Sequence, residues 1–169
     1  MKKTNTNRME NNILPVIRAI EQNDSFILLT HTKPDGDAVG SLLALHLALE
    51  NIGKKVTSYT DPPPETYRFL SGFEKLKNVD EFENPGKNII IILDSSNIDR
   101  CPISNLENAE NILNIDHHLD NSGFGNINYV DSSASSTGIL IYRLLTKIRL
   151  VITPDIAENL YTAENQYTA

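Results

Sequence analysis

Short apolar runs alternate with longer stretches of mixed polarity along most of this chain. Phe26-Ile27-Leu28-Leu29-Thr30 is dense and brief, which predicts a buried strand. Lys55 to Thr60 predicts a second strand. Asn88 to Leu93 is the strongest, apolar enough on both faces to be central in a sheet. Asn111 to Ile115 and Ile127 to Val130 complete a set of about five. Ala38 to Ile52 predicts a helix, with Val39, Leu42, Leu43 and Leu49 near one stripe and Gly53 as its stop. Asn12 caps an earlier helix carrying Ile13, Ile17 and Ile20, with Pro15 tolerated in its first turn. Asp61-Pro62-Pro63-Pro64 forces an extended loop, and Glu65 to Leu70 reads as a short helix. Ser136 or Thr137 caps a helix through Thr146, and Thr153-Pro154 opens another. Strands alternating with helices predict an α/β fold: a three-layer α/β/α domain with a mainly parallel sheet and helices on both faces.

No linker or long repeat divides the chain. Residues 1–11 are polar and read as a flexible tail, 12–163 as one domain, and 164–169 as an atypical end. There, Glu158-Asn159-Leu160-Tyr161-Thr162-Ala163 is followed by Glu164-Asn165-Gln166-Tyr167-Thr168-Ala169, matching at five of six positions. This repeat reads either as a helical accident or as the mark of a disrupted reading frame.

Composition narrows the function classes. A chain of 169 residues can bury a proper core. Its net charge of −7 argues against broad, sequence-independent wrapping of nucleic acid. A short oligonucleotide or nucleotide held through metals stays compatible with that charge. The single cysteine, Cys101, excludes an intrachain disulfide and fits a reducing compartment. It reads as a small core or loop residue rather than a nucleophile. Met1 to Asn12 lacks the apolar segment of a signal peptide. No apolar run approaches the ~18–20 residues of a membrane helix. The expectation is a cytoplasmic protein with no membrane partner. Self-association into a homo-oligomer is a further expectation, from apolar surface that a second domain would cover.

Three polar clusters follow apolar runs: His31-Thr32-Lys33-Pro34-Asp35-Gly36-Asp37-Ala38-Val39-Gly40-Ser41, then Asp94, then Asp116-His117-His118. Ligands of a parallel α/β sheet bind beyond the carboxyl ends of its strands. Taken singly, an aspartate after a strand is often a turn residue or a helix cap. Together these residues suggest a two-metal site. Asp35 and Asp37, two apart in an extended turn, would project the same way and repel unless a cation sat between them. Gly40 and Ser41 would let a phosphate approach the first turn of a helix. Carboxylates with few imidazoles favour Mn2+ or Mg2+ over a thiolate zinc site, and imidazole favours Mn2+ of the two. Ser135-Ser136-Thr137-Gly138 reads first as a helix cap and second as a ligand-facing loop. His46, mid-helix, reads as a surface or core residue, and Lys33 as solvated.

The first cluster, with Leu93-Asp94-Ser95-Ser96, Ile115-Asp116-His117-His118 and Ser133-Ala134-Ser135-Ser136-Thr137-Gly138, resembles the DHH phosphoesterase family. The likeness is to the branch of bacterial oligoribonucleases that also remove phosphate from 3′-phosphoadenosine 5′-phosphate. It spans roughly residues 12–163. The resemblance implies that His31 and Asp35 bind one metal and Asp37 and His117 the other, with Asp94 bridging both. It implies two Mn2+ ions, with Mg2+ or Co2+ as substitutes. Asp116 would orient the imidazoles. His118 would contact the phosphate or support the leaving group, and Ser136 and Thr137 would help to bind substrate. The implied reaction is hydrolysis of a short RNA oligonucleotide or nucleotide phosphate by a two-metal-activated water.

The sequence departs from that family after Pro154–Ala163. Similar proteins continue there to a fourth motif with a further metal-ligating aspartate, and then to a smaller domain that closes over the site. Asp155 is on the wrong side of its helix to substitute. The departure admits a second reading, a non-catalytic remnant serving as a metal-binding or interaction module. A third reading keeps the two-metal core and changes the substrate to pyrophosphate or a cyclic dinucleotide.

Overall fold

In the computed structural model, which describes residues 6–82, 86–104, 106 and 109–165, the apolar runs pair into one six-stranded sheet. The strands are β1 (Ser25–Thr30), β2 (Lys55–Thr60), β3 (Leu76–Asn78), β4 (Ile89–Leu93), β5 (Ile112–Asp116) and β6 (Ile127–Val130). Their order is β3-β2-β1-β4-β5-β6, and every pairing is parallel. The strand beyond the expected five is β3. Its three residues, Leu76-Lys77-Asn78, are mixed in polarity and mostly half-buried, so no apolar run announces it.

Side chains alternate across the sheet, as a period of two requires. Phe26 and Leu28, Ile91 and Leu93, Leu113 and Ile115, and Tyr129 share one cluster with the helices. Ile27, Leu29, Ile90, Ile92 and Ile112 form a second cluster with Tyr59, Cys101 and Leu106. The four α-helices are α1 (Thr6–Gln22), α2 (Gly36–Asn51), α3 (Thr137–Lys147) and α4 (Pro154–Glu164). All four bury apolar residues in the first cluster. Among the described residues, two 3-10 turns, Val79–Glu81 and Ile98–Arg100, lay Val79 and Ile98 against the second cluster. Cys101 belongs to this core, and burial pushes its thiol up to about 11, which keeps it protonated and inert.

Two helix starts differ from the pattern reading. The first helix begins at Thr6, so Asn12 is not its cap and Pro15 lies well inside it. Proline removes one helical hydrogen bond. The burial of Ile13, Val16, Ala19 and Ile20 offsets that loss. The second helix begins at Gly36 rather than Ala38, because the Asp35 carboxylate accepts the Ala38 N–H at 3.1 Å and caps it. Asp35 and Asp37 therefore do not share an extended segment; one caps the helix and the other sits in its first turn.

Helix α4 packs closely on α2 and α3 near the carboxyl ends of the strands. A Cβ on Gly40 would lie 2.5 Å from the Asn159 carbonyl oxygen and 2.9 Å from the Ala163 nitrogen. A Cβ on Gly138 would lie 2.5 Å from Ala163 Cβ. Glycine at both positions permits this three-helix approach. Among the described residues no helix is long and apolar enough to cross a membrane.

Candidate functional site

The strand order reverses between β1 and β4, so the chain leaving one strand diverges from the chain leaving the other. In open α/β sheets it is beyond the carboxyl ends of such diverging strands that ligands are held. His31 follows β1, Asp94 follows β4, and Asp116 ends β5. The loop to α2 adds Asp35 and Asp37, and α3 points its N-terminus at the same place.

Asp94 is the centre of the arrangement. Its Oδ2 lies 3.6 Å from His31 Nε2. Its Oδ1 lies 3.7 Å from His117 Nε2, 3.8 Å from His118 Nδ1, and accepts the Thr137 hydroxyl at 2.9 Å. The two oxygens thus face opposite neighbours. Two groups of donor atoms, each within 4.8 Å of one another, could hold a metal ion: His31, Asp35 and Asp94 in one, and Asp94, His117 and His118 in the other. Asp94 belongs to both. Its backbone is left-handed, with φ of 55°. That conformation costs a non-glycine residue about 1–2 kcal/mol, so the surroundings must hold it.

Asp37 is fully buried, and three donors grip it. Oδ1 accepts the Ser41 hydroxyl at 2.9 Å and the Gly138 N–H at 2.9 Å, while Oδ2 accepts the Thr137 N–H at 2.7 Å. Two of these donors are free N–H groups at the start of α3, where the helix dipole favours negative charge. Oδ2 also lies 3.5 Å from His117 Nε2.

Both inner imidazoles have a defined tautomer. His31 Nδ1 is 2.8 Å from the Thr32 carbonyl, and His117 Nδ1 is 3.3 Å from the Ala134 carbonyl. A carbonyl only accepts, so Nδ1 carries a proton, and Nε2 is the nitrogen turned to the carboxylates, the one that would give its lone pair to a cation between them. Metal-ligating histidines are commonly held this way. His118 differs. Its Nδ1–H donates to Asp116 Oδ1 at 2.7 Å, which commits that nitrogen and leaves Nε2 available. Its side chain is one-third exposed (33%), against 12% for His117.

Electrostatics say what kind of partner this cluster suits. Burial first, and the Asp94 charge second, push the Asp37 carboxyl up to about 8 despite its three donors. Burial also works against Asp94, but hydrogen bonds from His31 and Thr137 and the nearby imidazoles hold it below the ordinary carboxylate range. Burial pulls His31 down, and Asp94 and the Thr32 carbonyl more than reverse it. Two buried carboxylates repel, and the ion-pair partners of Asp94 among the described residues are three histidines. A divalent cation fits this donor set, because it would pair with both carboxylates and accept the two Nε2 lone pairs.

The residues expected to touch substrate fare differently. Gly40 is packed against α4, not open to a phosphate. Ser41, Ser136 and Thr137 are fully buried. Ser41 serves Asp37, and Thr137 serves both Asp37 and Asp94. Ser136 caps α3 by accepting the Ile139 N–H and donates to Glu164 Oε2, while Ser135 donates to Glu164 Oε1. Small polar residues at a helix start can thus serve a buried carboxylate as well as a ligand. Asp155 shares the Ser71 hydroxyl with Glu158, at the start of α4. His46 is in the core, its Nδ1 2.7 Å from the Ser58 hydroxyl. Pattern reading missed Asn121, which donates to Asp116 Oδ2 at 2.6 Å, and Asn114, its partner at 2.8 Å. One signal was available: Asn114 is a polar residue in the middle of a fully buried strand, between Leu113 and Ile115.

Residues 25–163 match the DHH family, N-terminal domain. The chain is 33% identical over 150 residues to the bifunctional oligoribonuclease and PAP phosphatase NrnA of Thermus thermophilus, covering 89% of this chain and 44% of that protein. It is 30% identical over 130 residues to the protein of the same name from Bacillus subtilis, covering 76% and 40%. The chain thus spans less than half the length of these relatives. A solved structure of an exopolyphosphatase-related protein from Bacteroides fragilis superposes with a TM-score of 0.81 at 24% identity, over 94% of this chain and 52% of the other. A putative family II inorganic pyrophosphatase from Methanococcus jannaschii gives a TM-score of 0.54 at 24% identity, over 82% and 46%. Both share the fold.

Proposed function

The chain belongs to the DHH family, and from that premise we propose that its strand-end cluster is the metal centre of a phosphoesterase acting on short oligoribonucleotides or 3′-phosphoadenosine 5′-phosphate. The observation that carries this reading is Asp94, whose two oxygens face separate donor groups. His31 and Asp35 would hold one ion, Asp37 and His117 the other, and Asp94 would join them. Mn2+ suits the mixture of carboxylate and imidazole best, with Mg2+ or Co2+ as substitutes. Two bound ions supply an activated water and charge neutralisation at a phosphoryl group. The names of the relatives support the substrate class.

The remaining work falls to the protein's own groups. The Nδ1–H bonds of His31 and His117 keep both Nε2 atoms aimed inward. Ser41 and the start of α3 hold Asp37 so that Oδ2 faces the site. Asp116 fixes the His118 ring by accepting from its Nδ1–H, which leaves Nε2 to meet a phosphate oxygen or the leaving oxygen.

The test is metal content together with hydrolysis. Purified protein stripped of metal is titrated with Mn2+ and offered a short oligoribonucleotide, 3′-phosphoadenosine 5′-phosphate, and pyrophosphate. Two bound ions and Mn2+-dependent release of mononucleotide or phosphate from either of the first two are expected. No Mn2+ uptake with no product would sink the proposal. Turnover of pyrophosphate alone would move the substrate class.

A further inference from the structure

We propose that Asn114 and Asn121 form an amide pair that positions both halves of the centre, Asn114 acting through Asp94 and Asn121 through Asp116 and His118. The Mn2+ arm of the test rests on the metal-centre reading and the kinetic arm on the phosphoesterase reading; the resonance arm rests on neither.

Asn114 is fully buried in β5, between Leu113 and Ile115. A buried amide is costly unless its donors and acceptor are all used. Here they are. Nδ2 donates to the Ile92 carbonyl at 3.2 Å and the Ser95 carbonyl at 3.1 Å, and Oδ1 accepts Asn121 Nδ2 at 2.8 Å. Ile92 and Ser95 bracket Asp94, the residue with left-handed backbone. One side chain therefore clips the chain on both sides of the strained position. It sets the direction in which the Asp94 carboxylate leaves β4. An apolar residue of the same size would fill the space and release the clip.

Asn121 completes the device. Its Nδ2 has two hydrogens and two short acceptors, Asn114 Oδ1 at 2.8 Å and Asp116 Oδ2 at 2.6 Å, with the Ser95 carbonyl farther off at 3.3 Å. Its Oδ1 accepts the Gly123 N–H at 2.8 Å, which ties the amide to its own loop and orients it. With Oδ2 of Asp116 held, Oδ1 is directed at His118 Nδ1. The pair thus couples the ends of β4 and β5 by amide hydrogen bonds alone, with no charge that would compete for a cation.

The two halves separate experimentally. Asn114→Leu, Asn121→Ala and a control, Asn23→Ala, are compared with the wild-type chain. Asn23 donates to the Ala19 carbonyl at the end of α1, before β1 and at the far end of the sheet from Asp94 and Asp116. Three readouts are used: the His118 Nδ1–H proton resonance in metal-free protein, Mn2+ affinity by calorimetry, and kcat and KM. Asn121→Ala is expected to lose the His118 resonance and lower kcat at least tenfold, with KM and Mn2+ affinity within about threefold of wild type. Asn114→Leu is expected to weaken Mn2+ binding by roughly 10–100-fold, the usual effect of removing a group that orients a ligand. Asn23→Ala should leave all three unchanged. A folded Asn114→Leu with wild-type Mn2+ affinity, or Asn121→Ala with an intact His118 resonance, overturns the proposal. Should Asn114→Leu fail to fold, the part-buried Asn121 decides it through the resonance. If wild type hydrolyses nothing, the phosphoesterase reading fails while the resonance and Mn2+ arms still judge the amide pair.

Discussion

Asp94 meets several demands at one position. Its carboxylate is buried, its backbone is left-handed, and each oxygen faces a different imidazole set. Asp94→Asn keeps the shape and removes the charge. The expected result is loss of Mn2+ binding at both positions, measured as bound metal per chain after dialysis. Retained two-ion occupancy would contradict the bridging assignment. His46 makes the opposite kind of prediction. Burial lowers its pKa below 6.5, so the folded state binds fewer protons than the unfolded state in mildly acid solution. The lowered value is worked against by Glu50, with Nε2 3.4 Å from Oε1, while Lys75 adds to it and Glu74 opposes it. Stability is therefore complete above about pH 6.5 and falls as pH drops toward the folded-state pKa. His46→Gln should show a shallower loss between pH 7 and 5, read as the difference in urea midpoints from wild type. Both aspartate and histidine were visible as residue types. Which of them would be buried together was not, because burial depends on what packs over them.

At the scale of elements, the contact of α4 with α2 and α3 brings the α3 N-terminus to Asp37. Gly40→Ala would drive a methyl group into backbone atoms of α4, which cannot rotate away. A loss of about 1–3 kcal/mol is expected, as for other overpacked positions, and urea unfolding measures it. Gly138→Ala meets the Ala163 methyl instead, and it should also weaken Mn2+ binding by moving the two N–H donors off Asp37. The strands that carry the site were legible because Ile89–Leu93 and Phe26–Thr30 are apolar nearly throughout, as buried parallel strands must be. β3 was not, because a three-residue edge strand buries too little to need an apolar run. The early start of α2 was also hidden. Asp35 reads equally well as a turn residue, and only the Ala38 N–H beside its carboxylate makes it a cap.

Across the whole molecule, metal binding and folding are linked. The unfolded chain cannot gather residues 31, 35, 37, 94 and 117, so a cation that binds the folded site stabilises it. At a free Mn2+ concentration 100 times its Kd the gain is about 2.7 kcal/mol, which corresponds to roughly 5–11 °C in Tm for a chain of this size. Thermal unfolding with Mn2+ and with a chelator checks this, and Asp94→Asn should abolish the difference. The order β3-β2-β1-β4-β5-β6 is what makes such a site available, because its reversal makes the chain diverge after β1 and β4.

By itself the sequence determined the class of fold, the strands that would be central, and the inventory of carboxylates and imidazoles at strand ends. Local pattern suffices for these, since burial on two faces and turns after strands leave marks in consecutive residues. Tertiary structure alone decided the rest. It assigned Ser41, Thr137 and Gly138 to hold Asp37, gave Gly40 to helix packing, and joined Asn114 to Asn121 behind the site. Hydrogen bonds between residues 37 and 137, or 94 and 137, depend on which strands are neighbours and how closely three helices meet. No local pattern records those distances.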